Sequence, residues 1–202
     1  MISVGLTGSI AVGKTYVSNV LLELGCNVLD ADLTAREVVE PNTAGWRKIV
    51  NYFGAEILQS DNTINRVKLG AIVFADESKR KILNSIVHPL VSEAQNLWIE
   101  RIKTMNSGSI AIIDAALMIE SGGYKRFDKI IVVWCEAEIQ ISRLMSRNNL
   151  DRATALQRIN AQMSQDEKKK HADFTIDTSN GFEDTRRQVE RLHQSLVSLV
   201  NS

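Results

Sequence analysis

Along the first two dozen residues the apolar positions change period. Ile2, Val4 and Leu6 alternate with small Ser3, Gly5 and Thr7, a two-residue repeat that predicts a short strand ending at Gly8. From Lys14 onward Val17, Val20, Leu21 and Leu24 recur at helical spacing, and Gly25 follows as a C-cap. The same switch repeats down the chain. Asn27–Asp30 reads as a strand and Thr34–Val39 as a helix stopped by Pro41, after which helical periodicity takes over. Trp46, Ile49, Val50 and Phe53 form one stripe that Gly54 ends, and Leu69, Ile72, Val73 and Phe74 form another. A longer pattern from Ser78 to Lys103, including Ile82, Leu83, Ile86, Val87, Leu90 and Leu97, is read mostly as core, with a kink at Pro89. Ser109–Asp114 and Lys129–Trp134 are continuous apolar runs, as strands buried on both faces should be. Glu136 and Glu138 open another helix, Asp173–Asp177 is a last short strand, and a helix from Glu183 turns Val189, Leu192, Leu196 and Val200 inward.

About five strands alternating with helices predict an α/β fold, a parallel sheet with helices on both faces. With 202 residues, 44% of them hydrophobic, the chain fits one domain carrying insertions better than two independent ones. Its core is expected to comprise residues 1–31, 109–135 and 172–202, with a helical insertion over 32–108 and a helical segment over 136–171. Net charge is zero, which gives no electrostatic reason to expect nucleic acid or an anionic membrane as partner. Cys26 and Cys135 lack metal-ligand spacing and read as packed thiols in a reducing compartment. The chain opens on a core strand, without a basic stretch leading into a long apolar one, and no run approaches the ~20 apolar residues of a membrane span. A soluble, cytoplasmic protein is the expectation. None of these patterns sets an oligomeric state.

Between the first strand and the first helix lies Gly8-Ser9-Ile10-Ala11-Val12-Gly13-Lys14-Thr15, which reads G-x-x-x-x-G-K-S/T, the phosphate-binding P-loop. A polyphosphate needs many donors in a small volume. A glycine-rich turn lets successive backbone N–H groups converge, and the following helix adds its partial positive end. In this motif Lys14 reaches the β and γ phosphates of ATP and the Thr15 hydroxyl ligates Mg²⁺. Gly8, Ala11, Val12, Gly13 and Tyr16 complete the candidate ATP contacts. A dinucleotide fingerprint does not fit, because Gly5, Gly8 and Gly13 lack G-x-G-x-x-G spacing.

Carboxylates cluster where strands end. Asp30-Ala31-Asp32 closes the second strand on the side where ligands bind in open α/β sheets, so Asp32 is a candidate catalytic base. If the strand continues in extended form, Asp30 and Asp32 share a face; the alternative is that one of them caps the next helix. Arg36 lies near the same edge. Asp114 either joins the Mg²⁺ shell or caps a strand end, and Glu120 is carried into a loop over 115–123. His88, before Pro89, is either a substrate contact or a histidine satisfied in the core. From Glu138 to Lys170 seven basic residues face four acidic ones, and Arg143 and Arg147 are four apart on one helical face. That spacing suits two arginines folding over triphosphate oxygens as a lid. Lys168, Lys169 and Lys170 read as a solvated charged face.

A GTPase switch would need N-K-x-D and D-x-x-G, and neither occurs. A small-molecule kinase needs a phosphate cradle, a base, an acceptor-binding insertion and closing arginines, and all four have candidates here. Taken together, the chain resembles the dephospho-coenzyme A kinase family along nearly its whole length. Val4-Gly5-Leu6-Thr7-Gly8 with the P-loop, Asp30-Ala31-Asp32 with Ala35-Arg36-Glu37-Val38-Val39-Glu40-Pro41, and Asn84 with His88-Pro89-Leu90 carry the resemblance. So do Asp114, Leu117 and Glu120, the pair Arg143 and Arg147, Gln162, Ala172-Asp173 and Ile176-Asp177. Ser9, Ala11-Val12, Ala116 and Thr178-Ser179 depart from the usual family residues. The resemblance implies a P-loop kinase fold in which 32–108 is the acceptor-binding helical part and 136–171 the lid. It also implies phosphorylation of the ribose 3′-hydroxyl of dephospho-coenzyme A by ATP with Mg²⁺. Asp32 would be the base, Lys14 and Arg143 would serve catalysis, Arg147 would assist at ATP, and Arg36, His88 and Glu120 would meet the acceptor. A P-loop kinase acting on another nucleoside or nucleotide is the alternative.

Overall fold

A computed structural model describes residues 1–106 and 108–201; Ser107 and Ser202, within the expected helical part and core, lie outside them. By internal packing the chain divides into two units, Met1–Leu29 with Arg101–Ser202, and Asp30–Glu100.

The first unit is built on a five-stranded sheet. In chain order the strands are β1 (Ile2–Gly8), β2 (Asn27–Asp30), β3 (Ile110–Asp114), β4 (Lys129–Trp134) and β5 (Phe174–Asp177), and their spatial order is β2-β3-β1-β4-β5. β1 runs parallel to β3 and β4, and β4 parallel to β5. Being central, β1 is buried along its whole length, which explains why its second face carries only small residues. α1 (Lys14–Glu23) and α9 (Gly181–Val200) cover the other face: Val17, Val20 and Leu21 of one and Val189, Leu192 and Leu196 of the other pack with Val4, Leu6, Ile112 and Ile131. Each such fully buried side chain contributes roughly 1.5–3 kcal/mol. On the small-residue face Met118 lies over Gly5, where any Cβ would collide with its sulfur. Cys26 and Cys135 are buried free thiols, and burial pushes Cys26 up to about 11 and Cys135 in the same direction.

Register decides where the chemistry sits. Leu6 pairs with Asp114, Gly8 with Val133 and Trp134 with Asp177, so the carboxyl ends of β1, β3, β4 and β5 come level along one edge. Beyond β4 come α6 (Ala137–Asn148), α7 (Arg152–Asn160) and α8 (Gln165–Lys169), all within the first unit. Asp151 and Ser164 cap α7 and α8 by accepting from the N–H groups of Thr154 and Glu167. Ile141, Leu144 and Ala155 bury together, and the partly buried Ile10 and Ala11 of the glycine-rich loop pack against them.

The second unit is helical, with α2 (Ala31–Glu37), α3 (Ala44–Phe53), a 3₁₀ turn at Ala55–Ile57, α4 (Arg66–Ala75) and most of α5 (Glu77–Met105). It has its own core: Val39, Ile49, Phe53, Ile57, Ile64 and Leu69, with Trp46, Ile72, Val73, Leu83, Ile86 and Val87 packed around them. Two expectations are corrected here. Phe74 is 88% exposed and Leu97 66% exposed, and the fully buried residue of α5 is the polar Gln95. Apolar residues placed all round a helix cannot all face one core. α5 also continues through Pro89 as one element. At the other end of the unit α2 starts at Ala31, three residues before the position that periodicity gave.

Candidate active site

The glycine-rich loop connects β1 to α1 at the carboxyl edge of the sheet. Gly8 is required by close approach, since a Cβ there would come within 2.7 Å of the Val133 carbonyl oxygen. Gly13 is required by conformation: its φ of 87° is left-handed and it occupies the N-cap of α1 without a side-chain cap. Ala11 is also left-handed at φ 62°, without glycine's freedom. The Val12 side chain is fully buried in the core, so this residue can meet a ligand only through its backbone. Among the described residues, no acceptor pairs with the N–H groups of Ala11, Val12, Gly13, Lys14 or Thr15. Successive donors of this kind at the start of a helix form an anion cradle.

Charged side chains surround the cradle. The Lys14 ammonium donates to and ion-pairs with Oδ1 of Asp114, the last residue of β3 and 8% exposed. Thr15 presents an exposed hydroxyl in the first turn of α1. Tyr16 turns aside from it: its hydroxyl donates to the Phe182 carbonyl at 3.1 Å and its ring lies 4.8 Å from that of Phe182. Arg143 is half-buried on α6 and fixed to the loop after β5, donating to Thr178 Oγ1 and Thr178 O at 2.8 Å each. Thr178 in turn donates from Oγ1 to the Val12 carbonyl at 2.7 Å, which ties the arginine to the cradle through one hydroxyl. Three of the five guanidinium N–H donors remain beyond those two bonds. Arg147 is exposed at the last turn of α6, where its Nε donates to Asn148 Oδ1 at 3.0 Å.

In the second unit the acidic pair is divided. β2 stops at Asp30 and the chain turns at once into α2, so the extended arrangement with both carboxylates on one face does not form. Asp30 is the N-cap, its Oδ1 accepting from the N–H groups of Asp32 at 2.7 Å and Leu33 at 3.2 Å. Asp32 keeps an exposed carboxylate in the first turn of α2, and exposed Arg36, four residues on, shares its face. His88 is exposed on α5, which removes the reading as a core histidine.

A family model for dephospho-CoA kinases matches residues 2–184. The chain belongs to the dephospho-CoA kinase family. The dephospho-CoA kinase of Listeria innocua is 47% identical over 188 residues, 93% of each chain. A dephospho-CoA kinase domain-containing protein of Danio rerio is 45% identical over 197 residues, covering 97% of this chain and 86% of its own. Among solved structures, the dephospho-CoA kinase of Campylobacter jejuni superposes at a TM-score of 0.75 with 28% identity, covering 97% of both chains. A shikimate kinase of Acinetobacter baumannii, at a TM-score of 0.52 and 17% identity over 98% of this chain and 94% of its own, shares the fold alone.

Family membership makes the chain a kinase that transfers phosphate to a hydroxyl, yet two features of this kinase did not follow from its sequence pattern. Lys168, expected on a solvated face, is fully buried. Its ammonium donates to the Ala116 carbonyl at 2.9 Å and pairs with Glu120 at 2.8 Å, and Ala116 O also accepts from the Thr7 hydroxyl at 3.1 Å. Those two bonds hold the chain after Asp114 at Ala116. The other feature is a set of glutamines around the loop, of which the family motifs mark only Gln162. Nothing in a run of three lysines says which one turns inward; α8 does, by burying the face that carries Gln165 and Lys168 three apart.

Glu120→Gln is expected to destabilise this kinase by about 2–3 kcal/mol, because it leaves a buried ammonium without counter-charge. Lys168→Met should cost less, about 1 kcal/mol, since the carboxylate it leaves is 23% exposed and water reaches it. Urea unfolding of both variants measures the order, and the reverse order would show that the pair is held chiefly for the carboxylate.

Proposed function

We propose that this chain moves the terminal phosphoryl group of ATP onto the ribose 3′-hydroxyl of dephospho-CoA, giving CoA and ADP, the last step of coenzyme A biosynthesis. The observation that carries the reading is the cradle of consecutive unpaired amides beside the Lys14 ammonium in a chain of this family. In the reaction the bond from O3′ to the γ phosphorus forms while the bond from that phosphorus to the β–γ bridging oxygen breaks. The electron pair leaves on ADP, and the hydroxyl proton passes to Asp32.

Phosphoryl transfer of this loose kind asks chiefly for positioning and charge neutralisation. The amides of Ala11 to Thr15 and the Lys14 ammonium hold the β and γ phosphates, phosphate oxygens replacing Asp114 as the partner of Lys14. Arg143, aimed from Thr178, neutralises charge on the transferred group, and Arg147 assists from the same helix. Asp32 is assigned as base by its motif position. A carboxylate is a weak base toward an alcohol, so orienting the 3′-hydroxyl is the larger part of its role. Arg36, His88 and Glu120 are assigned to the acceptor. The helical part 32–108 binds that acceptor, and 136–171 acts as the lid.

Mg²⁺ fits the donor set. No group of three or more His, Cys, Asp or Glu side chains able to hold a metal occurs among the described residues, whereas a hydroxyl and a single carboxylate beside a phosphate cradle suit an ion that keeps most of its shell as water and phosphate. Thr15 and Asp114 would hold it, and when bound it supplies charge neutralisation between the β and γ phosphates. A cytoplasmic setting, without nucleic acid or membrane as partner, completes the reading; among the described residues no helix is long and apolar enough to cross a membrane.

A coupled ADP-release assay offering dephospho-CoA beside AMP, CMP and adenosine tests it. Turnover with dephospho-CoA well above the others is expected, a preference for another acceptor would replace the substrate, and no ADP release with any acceptor would end the reading.

A further inference from the structure

The backbone of Ile10 in the P-loop is held at both its N–H and its carbonyl by side-chain amides. Its N–H donates to Gln162 Oε1 at 2.8 Å, and its carbonyl accepts from Gln140 Nε2 at 2.8 Å. Gln165 braces the arrangement, donating from Nε2 to Gln140 Oε1 at 2.9 Å while its own Oε1 accepts the Cys135 N–H at 2.9 Å. Each of these bonds pairs a donor with an acceptor, so the orientation of all three amides is fixed by the network. Ser9 adds a weaker tie, its hydroxyl donating to the Met163 carbonyl at 3.4 Å. Gln140 is 2% exposed, and a buried amide is kept only where its hydrogen bonds are made.

Two consequences follow for the nucleotide. The Ile10 N–H already has a partner, so the cradle begins one residue later, at Ala11. Ala11 itself sits at φ 62°, a conformation that costs an L-residue roughly 1–2 kcal/mol and persists only where its surroundings over-determine it. The residue immediately before it is the one whose N–H and carbonyl the glutamines clamp.

We propose that Gln140 and Gln162 are positioning residues for the nucleotide: by clamping the Ile10 backbone they hold the left-handed turn at Ala11 and set the Ala11–Thr15 amides toward the phosphates before binding. The gain is preorganisation, since a loop already in its bound form loses less freedom when the ligand arrives. Gln162 serves as an acceptor and Gln140 as a donor, two opposite roles on the peptide groups either side of one residue. The inference rests on the ATP-binding reading above.

Calorimetric titration with ADP, on wild type, Gln162→Met, Gln140→Met and the double variant, tests it. Each single change is expected to raise the Kd for ADP roughly tenfold, the effect of one lost and unreplaced hydrogen bond. The double variant should bind about as weakly as the poorer single one, because the second amide then acts on a backbone already loosened. KM for dephospho-CoA should stay within about twofold of wild type, which separates loop positioning from general damage. If the buried change at Gln140 prevents folding, Gln165→Met, which touches Gln140 but not the loop, takes its place, with a smaller rise of roughly threefold expected that does not multiply with Gln162→Met. Single variants whose Kd stays within about twofold of wild type, whatever their melting temperatures, would overturn the proposal, as would losses that multiply in the double variant. A wild-type protein that binds no ADP would instead overturn the nucleotide-binding reading on which it rests.

Discussion

Lys14→Ala is expected to lower kcat/KM for ATP by on the order of 10²–10³-fold, the range seen when one preorganised donor to developing transition-state charge is removed. The loss should fall more on kcat than on nucleotide affinity. The five amides from Ala11 to Thr15 remain in place and continue to bind phosphate oxygens, whereas nothing else on α1 supplies a full positive charge beside the transferred group. In the native protein the Lys14 ammonium ion-pairs with Asp114, whose side chain is 10% exposed. Steady-state kinetics with ATP varied measure the loss, and unchanged kcat/KM in the variant would remove Lys14 from phosphate binding.

The second large effect is expected at Asp32. Asp32→Asn should retain nucleotide affinity within about twofold while losing kcat on the order of 10²–10⁴-fold, since the amide neither takes the hydroxyl proton nor attracts it. Asp30 is the internal control, two residues away and of the same chemical type. It caps α2, accepting from two backbone N–H groups, and asparagine caps about as well, so Asp30→Asn should keep both stability and turnover. Asp30→Ala should cost about 1 kcal/mol of stability with little direct effect on kcat. Near-native turnover in Asp32→Asn would take it out of the mechanism, and a collapse of turnover in Asp30→Asn would transfer the role to Asp30.

The contrast between those two carboxylates shows what local pattern can and cannot give. The sequence places both at the end of a strand. The chain enters a helix at Ala31, where Ala31 and Thr34 are buried, and that turn converts one acid into a cap and leaves the other exposed.

By itself the sequence determined the sheet, its parallel sense, the P-loop between β1 and α1, and the helical character of most of 32–108. These features depend on periods of two and 3.6 residues and on glycines that no other residue replaces, and such signals are local. Only the tertiary structure decided which lysine of three turns inward to meet Glu120 and that Arg143 reaches the cradle through Thr178. It alone showed that Gln140 and Gln162, with Gln165 bracing Gln140, hold the backbone of Ile10. Those choices join residues 25 to 166 apart in the chain, and a polar side chain carries no mark of its distant partner until burial makes leaving it unpaired costly.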